Sequence, residues 1–67
     1  MYLDERTLPM YLQKDIKALV EGQKNNSSLL DCLWCELYGS INSAQYDREI
    51  SVEVANYLRE KYLDLEV

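Results

Sequence analysis

The 67-residue chain contains no histidine, the side chain that most often acts as a general base near neutral pH. The Ser-His and Cys-His nucleophile systems are excluded for the same reason. Phenylalanine is also absent, and the only glycines, Gly22 and Gly39, are too few to form a loop that cradles phosphate. The sequence therefore predicts that the protein is not an enzyme.

Other absences concern compartment and cofactors. No apolar run approaches the roughly 18 residues of a membrane span, and the N-terminus lacks the apolar stretch of a secretory signal. The two cysteines are too few for the disulfide framework of a small secreted domain, so free thiols are expected. We expect a cytoplasmic protein that has no cofactor and does not bind membranes.

The net charge of −5 is unevenly distributed along the chain. Residues 1–24 carry four acids and four bases, whereas residues 25–67 carry eight acids and three bases. A surface of this sign repels phosphate, so direct binding of DNA or RNA is not expected. The same charge suits docking into the nucleic-acid groove of a basic enzyme, although ordinary solubilising charge is the preferred explanation.

Hydrophobic periodicity predicts an all-α, three-helix bundle that forms a single domain over residues 1–67. Its helices are expected at about 8–23, 28–38 and 52–64, with a mobile tail at residues 1–6. Thr7 and Ser51 are suitable N-caps for the first and third helices. The predicted core stripes contain Leu8, Leu12, Ile16, Leu19 and Val20 in helix 1, Leu29, Leu30, Leu33, Trp34 and Leu37 in helix 2, and Val54, Ala55, Leu58, Tyr62 and Leu65 in helix 3.

A long loop is predicted over residues 39–50, because Gly39 is suited to ending helix 2 and the sequence SINSAQYDREI shows no clear period. Ile41, Tyr46 and Ile50 would hold it against the core. Helix connections in bundles usually contain about 2–8 residues, so this length marks the loop as a candidate functional segment. A chain this short often depends on oligomerisation, so a homodimer is one state that the sequence leaves open.

The clearest motif is the pair Cys32 and Cys35, in a C-x-x-C spacing. The pair is compatible with redox chemistry, with a zinc site shared between two chains, or with structural thiols, and the last reading is preferred. Both cysteines fall on the side of helix 2 away from the leucine stripe. Because free cysteines are usually buried, this side is expected to be covered by the 39–50 loop or, as the alternative, by a second chain.

Tyrosine and tryptophan, which number six and one here, are enriched at interface hot spots. Tyr46 lies in the predicted loop, Tyr57 lies off the helix 3 stripe, and Tyr2 lies in the tail. We therefore expect a small acidic interaction module that binds a protein partner or itself, or alternatively an acidic inhibitor that mimics DNA. The candidate partner-binding residues are Tyr46, Tyr57, Cys32, Cys35, Asp47 and Glu49.

The segments LLDCLWCELYGSIN and ANYLREKYL lie within a stretch, Asp15 to Leu63, that resembles short uncharacterised helical proteins. Those proteins are encoded by Gram-positive gut bacteria and their mobile elements. The resemblance implies a bacterial or phage source and carries over no activity, cofactor or functional residue. Many small acidic proteins of such elements inhibit host defence or regulate another protein, which favours that class by association.

Overall fold

The computed structural model describes residues 3–65, which form three α-helices and a short 3-10 helix, Glu5–Thr7. The α-helices are α1 (Met10–Lys24), α2 (Leu30–Tyr46) and α3 (Val52–Leu63). Short connections make neighbouring helices antiparallel, and α2 packs against both α1 and α3. The predicted all-α, three-helix bundle is confirmed.

Helix α1 begins after Pro9, whose carbonyl accepts hydrogen bonds from the N–H groups of Leu12 and Gln13 at 3.0 and 3.1 Å. Thr7 is therefore not the N-cap of α1; its hydroxyl donates to the Asp4 carbonyl, 2.7 Å away. The helix ends where Asn26 adopts a left-handed backbone (φ 50°), a conformation that asparagine tolerates better than most residues. The predicted stripe of α1 is buried, except that Val20 is only partly buried.

Helix α2 continues through Gly39 to Tyr46, so the prediction of a loop over 39–50 is wrong for residues 39–46. The apolar stripe continues in the added turns, where Ile41 and Ala44 are fully buried. Two residues beyond the end of α2, Arg48 has a left-handed backbone (φ 61°), and the Glu49 N–H donates to the Ala44 carbonyl at 2.9 Å. A left-handed residue just after a helix is usually glycine. Only residues 47–51 separate α2 from α3.

Helix α3 begins as predicted at Ser51, whose hydroxyl accepts a hydrogen bond from the Val54 N–H at 3.1 Å. Its last turn contributes Leu63 to the core, a residue that the predicted stripe omits. The prediction that Leu29 belongs to the core of helix 2 is wrong: it is 60% exposed, because it precedes the first turn of α2. The buried core contains Leu8, Leu12, Ile16, Leu19, Leu37, Ile41, Ala44, Ile50, Ala55, Leu58 and Leu63.

Polar contacts fix α2 between its two neighbours. The Ser40 hydroxyl donates to the Asp15 carboxylate of α1. Toward α3, the Arg59 guanidinium donates to the Asn42 side chain at 2.6 Å, and the Trp34 indole N–H donates to the Leu63 carbonyl at 3.2 Å. Because directional bonds reach both flanking helices, they complement an otherwise apolar interface and specify the register of the bundle.

Residues 3–8 contact α3 near its end. The Lys61 ammonium donates to the Glu5 carboxylate at 2.7 Å, and the Tyr62 hydroxyl donates to the same carboxylate. Burial raises the pKa of Glu5, but these hydrogen bonds and the Lys61 charge outweigh burial and leave the pKa below its ordinary value. Leu3 packs against the core beside this contact. The N-terminal segment therefore joins α3 to the start of α1.

The two glycines provide a test of the packing of α2. An added Cβ at Gly39 would meet nothing within 4 Å, whereas one at Gly22 would lie 2.7 Å from the Leu33 Cδ1 atom. Gly39→Ala should therefore raise the free energy of unfolding by about 1 kcal/mol through helix propensity. Gly22→Ala should lower the free energy of unfolding by about 1 kcal/mol. The cost of overpacking against Leu33 should exceed the gain in helix propensity. Urea denaturation measures both, and equal stabilisation at the two positions would contradict this packing.

The Glu5 contact should make stability depend on pH in the acid range. Because the folded-state pKa of Glu5 is lowered, its carboxylate stabilises the fold at pH 7, and this contribution is lost as the pH falls below about 4.5 and through the folded-state pKa. Glu5→Gln should lower the free energy of unfolding by about 0.5–1 kcal/mol at pH 7 and have little effect well below pH 4.5. Glu60→Gln, at an exposed position of α3, is the matched control. If Glu5→Gln lowered the free energy of unfolding equally at pH 7 and well below pH 4.5, the ionised carboxylate would not be the source of the stabilisation.

Candidate interaction surfaces

One end of the bundle carries most of the exposed apolar side chains that the structure describes. The antiparallel topology brings together the start of α1, the end of α2 and the start of α3. Met10, Tyr11, Tyr46 and Val52 lie at this end and are 65%, 38%, 88% and 56% exposed. We call these four residues the apolar end patch. Of the described residues, only Leu29 and Tyr38 are comparably large, apolar and exposed elsewhere.

Tyr46 is the most exposed member of the apolar end patch, because it occupies the last position of α2 on the side away from the core. The sequence predicted that it would hold a loop against the core, and this is wrong. Ile50 performs that role and is buried. An exposed tyrosine on a rigid helix offers a large contact area at little cost in conformational entropy.

Carboxylates surround the apolar end patch. Asp47 and Glu49 are exposed in the connection between α2 and α3, and Glu53 is exposed in the first turn of α3. The Tyr11 hydroxyl donates to the Glu49 carboxylate at 2.7 Å. Burial, this hydrogen bond and the nearby carboxylate charges raise the pKa of Tyr11 to about 12, so its phenol remains a neutral donor. The contact fixes the connecting segment against the start of α1.

Cys32 and Cys35 are both free and exposed on the outward side of α2. The predicted covering by the 39–50 loop is wrong, because residues 39–46 belong to α2 itself and lie in line with the cysteines. Exposed Gly39 and Ser43 continue the same side of the helix. We call Cys32, Cys35, Gly39 and Ser43 the outer face of α2; exposed Asp31 and Glu36 flank its cysteines.

Tyr57 lies away from both surfaces. Its ring is partly buried against the core, and its hydroxyl lies 3.5 Å from the Lys61 ammonium. The same ammonium lies 5.6 Å from the Tyr57 ring centroid and 5.1 Å from the Tyr62 ring centroid. Tyr57 therefore supports the contact between α3 and Glu5. Tyr2 lies outside the described residues.

The predicted partner-binding residues thus divide into three groups. Tyr46, Asp47 and Glu49 lie at one end of the bundle, Cys32 and Cys35 lie on the outer face of α2, and Tyr57 lies beside Lys61. Sequence reasoning did not single out three members of the apolar end patch: Met10, Tyr11 and Val52. Met10 falls opposite the apolar stripe of helix 1. An apolar side chain at such a position is expected to be exposed, and this was the sequence signal for the patch.

A shallow depression lies where the N-terminal segment meets α1. Its volume is about 220 Å³, and it is lined by Glu5, Arg6, Gln13, Ile16 and Lys17. Glu5 is bonded to Lys61 there, and the Arg6 guanidinium is paired with the Asp4 carboxylate at 3.0 Å. Within residues 3–65, no three metal-ligating side chains form a cluster, and no helix has both the length and the apolar character to span a bilayer.

Comparisons with protein-family models, with curated proteins and with solved structures each found no match.

Proposed function

We propose that the protein is a small non-enzymatic interaction module that binds a protein partner through the apolar end patch. The observation that carries this proposal is Tyr46, which is 88% exposed at the end of α2, at the same end of the bundle as three other exposed apolar side chains. Single exposed apolar residues are common on protein surfaces, but a group of them surrounded by polar residues is typical of interaction sites.

Local rigidity supports the proposal. Tyr11 is held by Glu49, and the Glu49 N–H is bonded to the Ala44 carbonyl, so the segment beside the patch is tied to both α1 and α2. A partner that binds a preformed surface loses less conformational entropy than one that must order a loop. The carboxylates of Asp47, Glu49 and Glu53 would form a polar rim around an apolar centre, the arrangement found in many interfaces.

A second function is favoured by the acidic charge near the patch. The module would then be an acidic inhibitor, of the anti-defence or DNA-mimic type, that occupies the nucleic-acid groove of a basic enzyme. Asp47, Glu49 and Glu53 lie within seven residues of one another, with Arg48 as the one base among them. In that case carboxylates, rather than Tyr46, would supply most of the attraction.

Tyr46→Ala should weaken binding of the partner without changing the stability of the bundle. After a pull-down from the native host identifies the partner, the variant should bind it with a dissociation constant about 30-fold higher, equivalent to the roughly 2 kcal/mol of a hot-spot residue. Its stability should be unchanged, because the ring contributes little to the core. Calorimetric titration and urea denaturation measure the two quantities.

Leu29→Ala is the matched control for Tyr46→Ala, since Leu29 is 60% exposed at the opposite end of the bundle. Its affinity for the partner should equal that of the unmodified protein. Equal weakening by the two variants, or no weakening by Tyr46→Ala, would exclude the apolar end patch as the binding surface.

Salt separates the two functions. Binding through the apolar end patch should change by less than about threefold between low and physiological salt, because apolar contacts are not screened. An acidic inhibitor should lose affinity steeply over the same range, and Asp47→Asn should reduce that dependence. Affinity measured against salt concentration, for the unmodified protein and for Asp47→Asn, gives the answer.

A further inference from the structure

The two cysteines of α2 have the positions of a half-complete metal site. Cys32 is the third residue of α2 and Cys35 is the sixth, and both thiols are exposed. Side chains three residues apart on a helix are neighbours, with their Cβ atoms about 5–6 Å apart. Two thiolates with this spacing can bind the same zinc ion, each at about 2.3 Å, and occupy two positions of a tetrahedral site.

The same spacing is less suited to a disulfide within one chain. A disulfide holds its two Cβ atoms about 3.8 Å apart, which is shorter than the helical spacing and would require the first turns of α2 to deform. Thiolates are soft ligands that select ions such as zinc over magnesium or calcium. The geometry of the pair therefore favours a shared thiophilic ion.

One chain does not complete this site. A structural zinc ion takes four ligands, the sequence has no histidine, and residues 3–65 contain no cluster of three metal-ligating side chains. A four-thiolate site needs two further thiolates, and their simplest source is a second copy of this chain. We propose that Cys32 and Cys35 are half of a four-thiolate zinc site that two copies complete.

The surroundings of the pair permit the approach of a second α2. Gly39 lies about one turn beyond Cys35 on the outer face, and an added Cβ there would meet nothing within 4 Å, so it is open to an approaching helix. The acids nearest this face are exposed Asp31 and Glu36, each about one helical turn from a cysteine. The open position of Gly39 is therefore the feature that admits a second α2.

The start of α2 also suits a cluster of thiolates. Its N-cap residue, Leu29, supplies no side-chain hydrogen bond, so the first N–H groups of the helix have no side-chain acceptor at that position. The positive end of the helix favours negative charge in the first turn, where Cys32 lies. Binding one zinc ion to the four thiols of two chains releases four protons and forms four Zn–S bonds, with no change in oxidation state.

The test uses the full chain, purified with a reductant and without chelator, then mixed with zinc. We expect one zinc ion per two chains by elemental analysis, together with the mass of a dimer by light scattering. Cobalt, used as a probe, should give the sulfur-to-metal charge-transfer absorption of a four-thiolate site at the same stoichiometry. Cys32→Ser and Cys35→Ser should each abolish the dimer, the metal and the absorption.

Gly39→Lys is the decisive variant, because it leaves both thiols in place. It should fold at least as stably as the unmodified chain, since lysine is a better helix former than glycine and its side chain enters open space. It should nevertheless fail to dimerise, and its zinc affinity should fall at least tenfold. Gly39→Ala, with a small side chain, should retain the dimer.

Three outcomes would overturn the proposal. The first is a monomer that holds no zinc, the second is one zinc ion per monomer, and the third is a Gly39→Lys variant that still dimerises around zinc. These results are independent of the apolar end patch, because Tyr46→Ala leaves the thiols unchanged.

Discussion

The burial of α2 between its two neighbours is the constraint on which the rest of the structure depends. Leu37 and Ile41 are fully buried, and the helix contacts α1 on one side and α3 on the other. Each such side chain contributes about 1.5–3 kcal/mol, a large amount for a chain that has so small a core. Within residues 3–65 the outward side of α2 consequently has no helix packed on it, and the bundle end that contains Tyr46 carries exposed apolar side chains.

The general form of the fold follows from the spacing of apolar residues, but the length of α2 does not follow from local signals. Gly39 has the residue type that ends helices, yet it lies on the exposed side of a helix that continues for two more turns. Arg48 has the left-handed backbone instead, at a cost of about 1–2 kcal/mol. That cost is accepted because Ile41 and Ala44 extend the buried stripe, and tertiary packing outweighs a local preference.

The candidate surfaces could be predicted only in part. The exposure of Cys32 and Cys35 depends on the true length of α2, so the error over residues 39–46 led directly to the error about their covering. Tyr46, Asp47 and Glu49 could be named from composition. The hydrogen bond between Tyr11 and Glu49 could not be predicted, because it depends on the antiparallel packing that brings residues nearly forty positions apart into contact.

The contact between Glu5 and the end of α3 has a consequence for the chain as a whole. The two groups are 56 residues apart in sequence but are hydrogen-bonded, so the beginning and the end of the described chain lie side by side. A domain with adjacent ends fits into a surface loop of another protein without spreading that loop. It also tolerates new ends at an exposed turn, such as residues 25–29 between α1 and α2, if a short linker joins the original ones. The bundle therefore has a geometry that suits insertion into another protein.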